Sequence, residues 1–139
     1  MVRRNTVLAL LLGLTALAPA CGQGVLTDPS VIIGGVWKLR SIESDAGSIT
    51  GIPNPTGYTL TFQDAGRLGV RADCNLCTGG YTVSGDQIQI SNLACTKAVC
   101  SSSSHDKEFL AALGAAETFS VLGIELAIEG TKGTLRMNR

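Results

Sequence analysis

The sequence has a single histidine, His105, and no cluster of basic residues. Apart from the adjacent Arg3 and Arg4, its 11 Lys and Arg are scattered singly, and they are balanced by 11 Asp and Glu, for a formal net charge of zero. Nucleic-acid binders display a basic patch or stripe, so no nucleic-acid partner is expected. Charge is scarce overall, at 16% of residues, and the chain carries 17 glycines. Both fit a small, turn-rich sheet protein better than a helical bundle. The longest apolar run, Val7–Ala20, has 14 residues, whereas a helix crossing a bilayer core needs about 20. There is no phosphate-binding loop, paired-carboxylate motif or internal repeat. His105 lies in a serine-rich segment and reads as an exposed residue at a helix start. Ser101–Ser104 beside it do not suggest a nucleophile and base, because sequence neighbours rarely have triad geometry. Asp73 and Asp86 have no partner at functional spacing. The residues therefore point to no catalysis and no cofactor.

What is present begins with an address. Met1–Arg4 is a positive n-region, Val7–Ala20 an apolar h-region, and Ala18-Pro19-Ala20 a small-residue cleavage site, the pattern of a secretory signal over residues 1–20. Cleavage would leave nine basic against 11 acidic residues, since Arg3 and Arg4 depart. It would also leave Cys21 first. A cysteine directly after Leu17-Ala18-Pro19-Ala20 resembles a bacterial lipobox, although Ala18 stands where the pattern prefers Leu and Pro19 is unusual. Five cysteines in an exported chain leave one unpaired, and assigning Cys21 to lipid leaves an even four. Multiple acyl chains anchor a protein stably where one does not. Gly22 after the cysteine, rather than an aspartate, resembles lipoproteins sent to the outer membrane. Residues 21–33 are then a lipidated cysteine and tether, and residues 34–139 the folded domain.

Within that domain, Val36–Ile42 alternates with Trp37 and Leu39 inward, a first strand. Ser44–Gly57, with Pro53 and Pro55, reads as loop. Tyr58–Phe62 and Arg67–Ala72 alternate on either side of Asp64-Ala65-Gly66 and make a hairpin. Tyr81–Ser84 and Gln87–Ile90 flank Gly85-Asp86, a two-residue hairpin turn. Ser103 and Asp106 form a capping-box-like helix start, Phe109, Leu110 and Leu113 an apolar stripe, and Gly114 a stop. Thr118–Leu122, Ile124–Ile128 and Thr134–Met137 complete the pattern as strands. The fold class expected is α+β, mostly antiparallel β, with one helix.

Four cysteines lie in Cys74–Cys100. Their spacing approaches a zinc-ribbon pattern, but export to an oxidising space favours disulfides over four thiolates. Cys74-x-x-Cys77 precedes a strand rather than opening a helix in a βαβ unit, which argues against a redox site. Register selects the pairing. If Ser84 faces Gln87, the numbers of facing residues add to 171; Cys77 with Cys95 gives 172 and Cys74 with Cys100 gives 174, against 169 and 177 for the crossed pairing. A small bulge absorbs the difference. The expectation is the nested pair Cys74–Cys100 and Cys77–Cys95, with no metal.

Several stretches together resemble one family. They are Trp37-x-Leu39, Leu60-x-Phe62, Cys74-Asn75-x-x-x-Gly79-x-Tyr81, Leu93-Ala94-x-Thr96-x-x-x-Cys100, Glu108-Phe109-Leu110-x-x-Leu113 and Phe119-x-Val121-x-Gly123-x-x-Leu126-x-Ile128. The family is the META domain, also called HslJ-like, and the similarity covers about Gly34–Met137. Two departures stand out. Lys97-Ala98-Val99 lacks the methionine usual before the second family cysteine, and Cys77 and Cys95 fall where the family commonly has an aromatic and a serine. The resemblance implies an antiparallel sheet curved toward a barrel with a helix packed on it, and structural roles for Trp37, Asn75, Gly79, Tyr81 and Thr96. It further implies a bacterial envelope protein of the kind linked to heat and antibiotic stress, or to motility and virulence elsewhere. No agreed chemical activity accompanies it. The expected function is a non-enzymatic, lipid-anchored envelope module, binding or structural, held to the membrane by its lipid and meeting an envelope protein partner. The alternative is a secreted inhibitor presenting a disulfide-locked loop to a hydrolase. Ser44–Gly57 and Ser101–Ser104 are the candidate contact surfaces.

Overall fold

The computed structural model describes Gly24 and residues 28–139. The expected signal sequence, the expected lipidation site Cys21 and most of the expected tether lie outside the described residues. Nine strands follow in order: β1 (Val36–Glu43), β2 (Ile49–Gly51), β3 (Tyr58–Gln63), β4 (Arg67–Ala72), β5 (Asn75–Ser84), β6 (Gln87–Cys95), β7 (Ala116–Leu122), β8 (Glu125–Gly130) and β9 (Gly133–Asn138). One helix, α1 (Asp106–Gly114), lies between β6 and β7. All strand neighbours are antiparallel, and β9 returns to pair with β1, so eight strands close into a barrel. β2 is the extra strand: it pairs with the second half of β1, beyond the stretch that β3 occupies.

Alternation builds this barrel as the sequence suggests. Trp37, Leu39, Leu60, Phe62, Leu68, Val70, Phe119, Val121, Leu126, Ile128, Leu135 and Met137 all point inward and are buried. Each such large apolar side chain contributes about 1.5–3 kcal/mol on leaving water. Phe62 and Tyr81 meet edge to face, with centroids 4.9 Å apart. The interior of this barrel is filled by side chains, as in other small eight-stranded barrels that hold no ligand. Closure is thinnest between β6 and β7, which share the pair Gln87–Thr118 and a bond from the Phe119 N–H to the Asp86 carbonyl at 2.8 Å. The chain leaves the sheet there to build α1, whose Phe109, Ala112 and Leu113 are buried against the barrel.

Antiparallel order gives the barrel two distinct ends. The start of β1, the turns Asp64–Gly66, Gly85–Asp86 and Gly123–Ile124, and the end of β9 lie at one end, where the chain enters the barrel. The turn at Asp73–Cys74, the segment from Thr96 to the start of β7, and the turn at Thr131–Lys132 lie at the far end.

Four expectations change. The folded unit begins before Gly34: Asp28 caps a 3-10 turn, Pro29–Ile32, whose Ile32 is fully buried and accepts the Trp37 indole N–H at 2.9 Å. The presumed loop Ser44–Gly57 contains β2, and its Ile52 is buried. Strand β5 starts at Asn75, six residues before Tyr81, and β6 continues to Cys95. Ser103 does not cap the helix: the N-cap is His105, without a side-chain cap bond, and Ser104 Oγ just before it accepts the Asp106 N–H at 3.2 Å. Gly114 does end the helix, with Ala115 as its cap.

Both disulfides are present and nested. Cys77 faces Cys95 directly with Cα atoms 4.0 Å apart, and Cys74–Cys100 spans 5.5 Å. Chain-entropy arguments assign about 3.5 kcal/mol to closing the Cys74–Cys100 loop and slightly less to the inner one. Replacing Cys77 and Cys95 together by Ser should leave a folded but less stable domain. Replacing Cys74 and Cys100 should lower the unfolding midpoint more, because that bond also ties the chain leading into α1 to the sheet. Denaturant titration of the two double variants checks the order; equal loss would contradict it.

Candidate functional site

The far end of the barrel is built around one buried amide. Asn75 opens β5 and is 5% exposed, the one buried polar side chain among the described residues. Its Oδ1 accepts from the Ala98 N–H at 2.8 Å and from the Thr96 hydroxyl at 3.0 Å. Its Nδ2 donates to the Ala98 carbonyl at 3.0 Å and approaches Cys100 Sγ at 3.5 Å. Asn75 thus grips both backbone polar groups of Ala98, as a neighbouring strand would. Thr96 completes the circuit: its Oγ1 accepts from the Leu76 N–H, and its own N–H donates to the Leu76 carbonyl, both at 3.0 Å. The disulfide to Cys74 pins the segment two residues further on. A short stretch without regular secondary structure is therefore fixed along its length.

The same segment is fixed again where it enters the helix. The Tyr58 hydroxyl accepts the His105 N–H at 2.9 Å and lies 3.2 Å from Ser104 Oγ. The Tyr58 ring meets Phe109 edge to face at 5.8 Å. Between these fixings the chain is open to solvent. Lys97, Ala98 and Ser101–Ser103 are exposed, and Val99 is 99% exposed. The loop and the first turn of α1 border a cleft lined by Ala98–Ser102, Ser104 and Asp106–Glu108. His105 Nδ1 and Glu108 Oε2 are 3.2 Å apart beside it.

The motif residues that sequence singles out are spent on shape. Trp37 holds the entering chain through its indole, and the Arg139 guanidinium lies 4.8 Å over its ring. Gly79 stands opposite two residues of β6, Asn92 and Leu93, where the register shifts. A Cβ there would come within 2.9 Å of the Ser91 carbonyl oxygen and 3.0 Å of Leu93 Cδ2, so only glycine fits. Asn92 takes the left-handed conformation (φ 53°) that such a bulge demands. The Tyr81 hydroxyl donates to the Gln63 carbonyl at 2.9 Å. Burial, helped by the nearby Asp64 carboxylate, pushes its pKa above the usual phenol value.

The structure therefore brings Asn75, Thr96 and the outer disulfide together, with Gly79 and Tyr81 setting the register below them. Trp37 sits at the opposite end. Tyr58 and Val99 were not singled out as site residues. Tyr58 looks like any core aromatic, and an isolated Val carries no sequence signal of exposure. Of the expected contact surfaces, Ser101–Ser103 are exposed, whereas Ser104 is half-buried and its Oγ accepts the Asp106 N–H. A zinc site would need the four thiolates that both disulfides consume. Among the described residues no cluster of three metal-ligating side chains occurs.

A closed antiparallel barrel with a filled interior, one helix at its mouth and a cysteine-tied loop defines a small scaffold whose free surface is at its ends. Residues 30–139 match the family model of the META domain, and the chain belongs to that family. No curated protein matches the sequence. Among solved structures, a protein from Burkholderia xenovorans determined by NMR is similar at 17% identity with a TM-score of 0.67. The match covers 89% of this chain and 98% of that one. A crystal structure of a DUF4847 family protein from Bacteroides vulgatus is similar at 17% identity and a TM-score of 0.57, covering 78% of this chain and 94% of that one. At these identities the likeness is one of fold.

Asn75→Ala removes the grip on Ala98 and leaves a cavity at the mouth. It should cost about 2–3 kcal/mol of stability, read as a lowered unfolding midpoint. Asn75→Asp keeps the acceptor but sets a buried carboxylate oxygen against the Ala98 carbonyl, and should destabilise at least as much as Asn75→Ala. A midpoint unchanged in Asn75→Ala would show that the loop is held without the amide.

Proposed function

We propose that this protein is a non-enzymatic module of the bacterial cell envelope, lipid-anchored through Cys21, that supports the envelope under stress by binding another envelope protein. The observation that carries this reading is the opposition of the two barrel ends. The chain from Cys21 enters at one end, and the loop 97–103 is held rigid at the other, with Val99 fully exposed. An anchor at the entry end points that loop away from the membrane. A preorganised loop loses little conformational freedom on binding, so its contacts translate efficiently into affinity. An apolar side chain held wholly in solvent on such a loop is the kind of group that a partner's pocket desolvates.

The fixing of the loop on both flanks supports a second reading, a secreted inhibitor that offers Val99 to a hydrolase. The two differ in where the protein goes and what it holds. An envelope module fractionates with membrane, and its intact mass exceeds that of the chain from Cys21 by acyl groups. An inhibitor co-purifies one to one with a soluble hydrolase. A photo-crosslinking residue at Val99, expressed in cells, should capture one discrete envelope protein, identified by mass, while the same probe at Glu129 on the barrel wall should not. Equal labelling from both positions would remove the loop from the account.

A further inference from the structure

The large apolar side chains left exposed on this barrel sit at its ends, and those at the entry end form a group. Leu122 (45% exposed) and Ile124 (61%) flank Gly123 in the β7–β8 turn, and Val36 (48%) begins β1. Arg139 joins them. Its N–H donates to the Ile124 carbonyl at 3.3 Å, its guanidinium lies over Trp37 beside Val36, and it reaches the Val31 carbonyl at 3.2 Å. Lys38, Asn138, Glu125 and Leu122 follow one another in register across the outer wall just behind this rim. The turn residues Asp64 and Asp86 occupy the opposite half of the same rim, where Arg67 follows the first of these turns, while Glu125 stands next to Ile124 on the apolar half.

We propose that the entry end rests on a lipid surface, tilted so that Leu122, Ile124 and Val36 enter the headgroup boundary with Lys38 and Arg139 against lipid phosphates. The inference rests on the anchor reading of Cys21. Cys21 lies seven residues before Asp28, and at roughly 3.3–3.6 Å per extended residue the tether spans at most about 25 Å. An anchored barrel is thus kept with its entry end within reach of the headgroups. Apolar side chains combined with neighbouring cations are what interfacial contacts use. The exposed apolar side chains Leu122, Ile124 and Val36 all lie on one half of this rim, which sets the direction of tilt. Contact of this kind gives the anchored barrel a fixed orientation, with the Val99 loop presented outward.

The test uses the full lipidated protein in nanodiscs of phosphatidylethanolamine and phosphatidylglycerol, with and without a gadolinium-chelating lipid. Amide signals of Leu122–Glu125, Val36 and Arg139 should be broadened strongly, and those of Val99–Ser103 and Thr131–Lys132 left sharp. The double variant Leu122→Glu, Ile124→Glu changes only exposed positions; it should keep its amide pattern elsewhere and lose the preferential broadening. Uniform broadening along the domain, or the same pattern in the double variant, would overturn the proposal while leaving the anchor intact. Intact mass reads the anchor separately: a chain starting at Cys21 without lipid removes the anchor and this inference with it.

Discussion

One extra residue in β6 sets the arrangement on which the far end of this barrel depends. From the turn at Gly85–Asp86 the hairpin runs in regular register through Gly80 and Ser91, and continued unchanged it would set Cys77 against Ala94. The bulge at Asn92–Leu93, opposite Gly79, moves the pairing on by one so that Cys77 meets Cys95. The same shift sets Asn75 beside the chain that leaves β6, where its amide holds Ala98. A slip of one residue in a strand exchanges its inner and outer faces, so this bulge cannot move without dismantling both the inner disulfide and the amide grip. Gly79, Asn75 and Thr96, which look unrelated in sequence, are parts of this single device.

The device gives rigidity to a segment that has no strand or helix of its own. The interior of the barrel is occupied by its core, and the two ends offer different chemistry. The far end carries a loop tied by a disulfide, an amide and the Tyr58 hydroxyl, with a polar cleft beside it. The entry end carries an apolar half-rim around Arg139. Division of labour between ends suits a barrel, whose walls are closed by pairing and whose loops are free to differ.

Much of the fold was legible because period-two alternation survives in β1, β3, β4 and β7–β9. The register arithmetic reached the nested disulfides for the same reason: a two-residue turn fixes facing positions, and a small departure from the expected sum marks a bulge. What escaped reading escaped for physical causes. The first half of β5 alternates with the wrong polarity, since Asn75 points in and Leu76 is 61% exposed, so a hydrophobicity pattern hides it. β2 is held by backbone pairing with β1, which leaves no side-chain periodicity in three residues. Ile32 joins the core from a turn capped by Asp28, where the Asp-Pro and Gly-Gly around it suggest a linker. α1 starts from His105 rather than from a Ser103 cap because Tyr58, distant in sequence, accepts the His105 N–H.

The central claim is that the segment from Thr96 to Cys100 is as firmly held as the sheet it leaves. Amide hydrogen exchange in the native, oxidised protein measures this residue by residue, since protection follows the free energy of local opening. The Ala98 amide, bonded to a buried carboxamide oxygen, should exchange nearly as slowly as the β5–β6 ladder around Tyr81 and Ile90. An Ala98 amide exchanging as fast as that of Ser102, exposed in the same loop, would contradict the account.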